Sequence, residues 1–117
     1  MSLFEDLKSL GVNVDEGLKR INGNEKLYTR LLGSFVKSID ANYITPDFDE
    51  ADCTPAIEKT HAIKGTSGNL SITPVYEAYS QIVDLLRKGN PAEAKVLIEK
   101  ILPVQNEIVE CIKKHMG

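Results

Sequence analysis

Thr54-Pro55-Ala56-Ile57-Glu58-Lys59-Thr60-His61-Ala62-Ile63-Lys64-Gly65-Thr66-Ser67-Gly68-Asn69-Leu70 opens with a helix-capping residue and then proline, the order expected at a helix start. At about 100° per residue, Ala56, Thr60, Ile63, Ser67 and Leu70 fall on one side, which is the face expected to be buried. His61 projects about 140° from the centre of that stripe. Lys64, Gly65 and Gly68 follow it by three, four and seven positions and so share its side, as do Ile57 and Glu58. The segment predicts an amphipathic helix from about Pro55 to Leu70 with one imidazole on its outer face. Each glycine inside such a helix costs roughly 1 kcal/mol relative to alanine, so the pair needs a packing or docking reason. Both lie opposite the core stripe, which predicts bare backbone left open for a partner.

The same punctuation divides the rest of the chain into helices. Leu3, Leu7 and Leu10 mark a short helix from Leu3 to Leu10 stopped by Gly11, and a second runs from Asp15 to Ile21 before Asn22-Gly23. Asn24 caps a longer helix reaching about Tyr43, with a stripe of Leu27, Leu31, Phe35 and Ile39 widened by Tyr28, Leu32 and Val36. The acidic stretch from Thr45 to Asp52 reads as a loop. Thr73-Pro74 repeats the start signal for a helix to about Lys88, and Gly89-Asn90-Pro91 closes it and opens the last, with Glu93 completing a capping box. That last helix carries Val96, Leu97, Ile101, Val104, Ile108 and Ile112, reaches about His115, and should bend at Pro103. Four long amphipathic helices with short connections predict an all-α fold: an antiparallel up-down four-helix bundle capped by the short N-terminal helices. Residues 1–117 read as one domain, without repeats or linkers.

Composition narrows the function. A net charge of −3 supplies no broad cationic field, and 6% aromatic residues offer little stacking surface, so nucleic acid is not an expected partner. No apolar run approaches the roughly 20 residues that span a bilayer, and no basic-then-apolar leader opens the chain, so no membrane partner and a cytoplasmic location are expected. Cys53 and Cys111 form no CxxC pair and are expected as free thiols. With two scattered histidines they make no metal-ligand pattern, and Asp47, Asp49, Glu50 and Asp52 lack the spacing of a calcium loop. His115 reads as a cation suited to the end of its helix.

His61 and Lys64 remain as the pair with chemistry. A neutral imidazole, with an unperturbed pKa of about 6.5, is nucleophilic near neutral pH and can take a phosphoryl group without a separate strong base. An ammonium on a flexible stem is a movable point charge suited to steadying a group of about −1.5 to −2 charge. The plainer alternative for Lys64 is a solvated helix-face cation paired with its neighbours Glu58 or Thr60.

These residues resemble the histidine-containing phosphotransfer (HPt) family, whose core His-x-x-Lys-Gly-Ser/Thr on the second helix of a four-helix bundle is matched by His61, Lys64, Gly65 and Thr66. The likeness extends to Gly11-Val12-Asn13-Val14, to Gly23-Asn24-Glu25-Lys26-Leu27-Tyr28, to Asn69-Leu70 and to the Gly89-Asn90 turn. It implies that His61 takes phosphoryl from a receiver-domain aspartate and passes it to another receiver. Lys64 would steady the phosphate, Gly65 would admit the receiver's loops, and Mg²⁺ would sit on the receiver, with no cofactor on this chain. Receiver domains of response regulators or hybrid histidine kinases are the implied partners, and the protein is expected to act as a monomer and not as an enzyme. The sequence departs from the family at Ser71, where glycine is usual, and at Val83, where many members carry a glutamate or glutamine bonded to the histidine ring. That orienting role would then fall to Tyr79, Gln81 or water. Arg87, one turn beyond Val83, stands where some members keep a second cation. Two other readings stay open: a helical adaptor that binds receiver-like partners without accepting phosphate, and the dimerising helices of a histidine kinase. Ala62 and Lys64 disfavour the latter, since an acidic residue and later a proline usually follow that histidine.

Overall fold

The computed structural model describes residues 2–116, and among them every regular element is a helix: α1 (Leu3–Ser9), α2 (Val14–Lys19), α3 (Glu25–Ala41), α4 (Thr54–Asn69), α5 (Thr73–Arg87) and α6 (Pro91–Met116). At 1.5 Å per residue the 26 residues of α6 span about 39 Å, close to the longest dimension of the molecule, 43 Å, so α6 runs its full length. The connections Leu70–Ile72 and Lys88–Asn90 hold α4 against α5 and α5 against α6, and α3 closes the circuit by touching both α4 and α6. Leu32, Phe35 and Ile39 of α3, Ile63 of α4, Tyr79 and Ile82 of α5, and Ile98, Ile108 and Ile112 of α6 make one buried core.

The buried faces of α3 and α6 are rotated from the sequence expectation. In α3 the core side is Tyr28, Leu32, Phe35, Val36 and Ile39, while Leu27 and Leu31 are only half-buried. In α6 the core side is Ala94, Ile98, Ile101, Gln105, Ile108, Val109 and Ile112, and Val96 and Val104 are exposed. Gln105 belongs to that face because its Oε1 accepts a 2.5 Å hydrogen bond from the buried Tyr79 hydroxyl. Pro103 sits on the exposed side of α6, away from the core, and α6 continues through it as one element.

The caps differ too. Asn24 caps α3 as expected, its Oδ1 accepting from the Leu27 amide at 3.0 Å. Thr54 and Thr73 are instead the first helical residues of α4 and α5, with Cys53 and Ile72 at the caps and no side-chain cap bond at either. The Thr54 amide is met by Asp52 Oδ1 at 3.1 Å. Gly89, with φ +80°, turns the chain out of α5 as its amide and that of Asn90 bond back to Leu86 and Leu85.

The two short helices reach the long ones through specific contacts. Leu7 of α1 is fully buried, and Phe4 meets the Tyr28 ring edge-on with centroids 5.6 Å apart. Gly17 of α2 is buried because a Cβ there would stand 2.6 Å from the Tyr28 ring and 2.8 Å from the Leu70 carbonyl oxygen, so only glycine lets α2 approach this closely. Among the described residues no helix is long and apolar enough to cross a membrane.

Candidate functional site

The core stripe of α4 is buried as its periodicity implies, with Ala56, Thr60, Ile63, Ser67 and Leu70 between 0% and 5% exposed. The two hydroxyls on it are satisfied within the helix: Thr60 donates to the Ala56 carbonyl at 2.8 Å and Ser67 to that of Ile63 at 2.6 Å. That fixes the rotation of α4 and turns His61, Glu58 and Gly65 outward into solvent, with Ile57, Lys64 and Gly68 half-buried at the margins.

His61, Lys64, Gly65 and Gly68 line one groove of about 520 Å³, with Tyr76 and Glu77 of α5 on one wall and Asn13, Glu16 and Arg20 beside α2 on the other. Lys64 also lines a second groove of about 370 Å³ between α4 and α5, shared with Gln81, Asp84 and Arg87. Lys64 and Arg87 are therefore cations bordering one depression, and among the described residues neither enters an ion pair, since Asp84 is taken by Lys88 at 2.9 Å. The alternative of Lys64 tied to Glu58 is not what the chain adopts. Ile57 packs its inner edge on the core, and Glu58 is exposed on the turn before His61.

The two glycines part company. A Cβ on Gly65 would meet nothing within 4 Å, so the space above it is open. A Cβ on Gly68 would stand 2.8 Å from two carbons of the Tyr76 ring, so that side chain already fills the space the sequence reading left for a partner. Gly68 is a packing glycine, and the open backbone is at Gly65 alone.

Of the groups considered for orienting the His61 ring, Tyr79 is fully buried and committed to Gln105, and Val83 is buried at 1% exposure. Gln81 is exposed and lines the groove with Lys64 but does not bond the ring. Among the described residues no side chain hydrogen-bonds His61, so neither Tyr79 nor Gln81 orients the ring.

Arg20 is the site residue that sequence reasoning missed. Its Nη1 donates to the Gly68 carbonyl at 3.1 Å and its Nη2 pairs with Glu16 Oε1 at 3.3 Å, laying a guanidinium along the end of α4. Glu16 Oε1 also accepts from the Ser71 hydroxyl at 2.7 Å. Ser71 has φ +55°, which explains why glycine suits this position, and the Asn13 amide donates to its carbonyl at 2.9 Å. The serine at this left-handed residue therefore ties α2 to the α4–α5 turn. No local signal in Glu16-Gly17-Leu18-Lys19-Arg20 points to α4, because the contact depends on how α2 docks.

Chemically, the arrangement offers a solvent-facing imidazole, a cation one turn away and clear backbone at the next position, in a groove lined by Arg20 and Lys64 together with Glu16 and Glu77. Comparison with protein-family models, with curated proteins and with solved structures finds no match to this chain.

Proposed function

We propose that this chain is a histidine phosphotransfer protein of a multistep phosphorelay, built as an antiparallel up-down four-helix bundle with α1 and α2 as its cap. In this reading a ring nitrogen of His61 attacks the phosphorus of a receiver's aspartyl phosphate. The N–P bond forms as the P–O bond to the aspartate breaks, returning a free carboxylate. The reverse step on a second receiver hands the group on. The Lys64 ammonium pairs with the phosphoryl oxygens, Arg87 borders the same depression as a second cation, and Ile57, Glu58 and Gly65 form the surface the receiver contacts. Gly68 contributes indirectly, by seating Tyr76 at the groove wall. Mg²⁺ is expected on the receiver, and the protein works without a nucleotide site of its own.

One observation carries this reading: His61 faces solvent on a helix whose opposite face is buried, with open space above Gly65 one turn on. Incubation with a phosphorylated receiver should transfer acid-labile, base-stable phosphate to the wild-type chain and none to His61→Gln. Equal labelling of that variant overturns the reading.

The buried Val83, which offers the ring no hydrogen bond, and Ser71 favour a second reading, a helical adaptor that binds receiver-like proteins without accepting phosphate. Receiver binding that survives His61→Ala, with no phosphohistidine from any donor, selects it.

A further inference from the structure

The far end of α6 brings together three side chains that the sequence leaves scattered. Cys111 and His115 are four positions apart and so stack on one face of the helix, one turn from each other. Asp6 of α1 faces them, with its Oδ2 2.8 Å from His115 Nε2. The Cys111 sulfur, a His115 ring nitrogen and an Asp6 carboxylate oxygen all lie within 4.8 Å of one another. Cys111 and Asp6 are half-buried, while His115 keeps a solvent-facing edge.

We propose that Asp6, Cys111 and His115 form a binding site for a divalent transition metal of the zinc class, which staples α1 to the last turns of α6. The donor set argues for that class: a thiolate, an imidazole and a carboxylate match a borderline-soft ion, whereas hard ions such as Mg²⁺ and Ca²⁺ take oxygen alone. In a tetrahedral site with metal–ligand bonds of 2.0–2.3 Å, donors are separated by about 3.5 Å. Metal binding then requires the 2.8 Å hydrogen bond to open slightly and the sulfur, within 4.8 Å of both other atoms, to close in. The fourth position stays with water on the exposed side of His115.

Coordination replaces the Cys111 S–H bond with a sulfur–metal bond, and the proton leaves to solvent. A seven-residue helix is too short to persist alone, and α1 is otherwise held by the buried Leu7, by Leu3 and Phe4 packed on the core, and by the Lys8–Asp15 ion pair at 3.2 Å. A metal bridging it to α6 stabilises the folded chain by mass action.

The test uses the untagged full chain under a non-coordinating reductant, with Co²⁺ as the probe and Zn²⁺ as the competitor. A thiolate-to-cobalt charge-transfer band should saturate at one equivalent and vanish when Zn²⁺ displaces the cobalt. Cys53→Ser should keep the band and Cys111→Ser should lose it, while Asp6→Asn and His115→Gln each weaken Co²⁺ binding at least about tenfold. Zn²⁺ at a hundredfold above its Kd should raise Tm by roughly 10 °C. No band at millimolar Co²⁺, an undiminished band in Cys111→Ser, or full affinity in both Asp6→Asn and His115→Gln overturns the proposal and leaves an ordinary His115–Asp6 ion pair. Helix content measured by circular dichroism shows whether each variant is folded, and the Asp6 and His115 arms decide the matter should Cys111→Ser misfold.

Discussion

At the scale of single residues, the two glycines after His61 separate what a sequence can announce from what only packing reveals. Their spacing placed both on the outer face of α4, and both are there. Only Gly65 is open, because Tyr76, arriving from the next helix, covers Gly68. No feature of residues 54–70 specifies where a ring from α5 will settle. The difference is measurable. Gly65→Ala should stabilise the protein by about 0.5–1 kcal/mol, the gain in helix propensity with nothing to clash against. Gly68→Ala forces the Tyr76 ring aside and should come out at least about 1 kcal/mol less stable than Gly65→Ala in urea unfolding. Gly65→Leu, by contrast, should leave the fold intact and slow phosphotransfer at least about tenfold, since bulk there fills the only open backbone beside His61. Stopped-flow or gel-based transfer kinetics would read this, and an unchanged rate would mean that receivers approach from another side. Arg20 was hidden for the same reason as the Tyr76 cover: its 3.1 Å bond to the Gly68 carbonyl joins residues 48 positions apart.

At the scale of helices, the number and order of elements were legible, and the errors lie in caps and rotations. Thr-Pro reads as cap then first turn, yet α4 begins at Thr54 itself, and Asp52 supplies the acceptor. Asn24→Ala should therefore cost about 1 kcal/mol by exposing the Leu27 amide, while Thr54→Ala, at a residue with no capping bond, should stay within about 0.5 kcal/mol. Chemical denaturation of the two variants side by side checks this. The rotation of α6 escaped notice because Gln105 is polar: a hydrophobic stripe drawn through Val104 misses a buried glutamine whose presence depends on the Tyr79 hydroxyl across the core. A sequence pattern ranks residues by their own polarity, whereas burial is set by partners.

For the molecule as a whole, the all-helical fold could be read from punctuation and periodicity, whereas the wall that α2 contributes to the His61 groove could not. That wall exists because Gly17 admits the Tyr28 ring and the Leu70 carbonyl, and the Tyr28 hydroxyl donates to that same carbonyl at 2.7 Å. Burial pushes the Tyr28 pKa up to about 12, against an ordinary value of 10.0, and pushes that of Tyr79 up as well. Between about pH 10 and pH 12 the unfolded chain loses these protons while the folded chain keeps them, so the folded state binds more protons and stability falls as pH rises through that window. Urea midpoints should drop across it in the wild type and drop less in Tyr28→Phe, which itself starts about 1 kcal/mol lower at neutral pH because the Leu70 carbonyl loses its partner. The central claim concerns His61, and the most direct measurement is site mapping of phosphate by tandem mass spectrometry at alkaline pH after reaction with a phosphorylated receiver. The account predicts one phosphoryl group per chain, carried on the peptide containing His61 and returned when an unphosphorylated receiver is added. Phosphate on any other residue, or a chain that binds the receiver and stays unmodified, contradicts it.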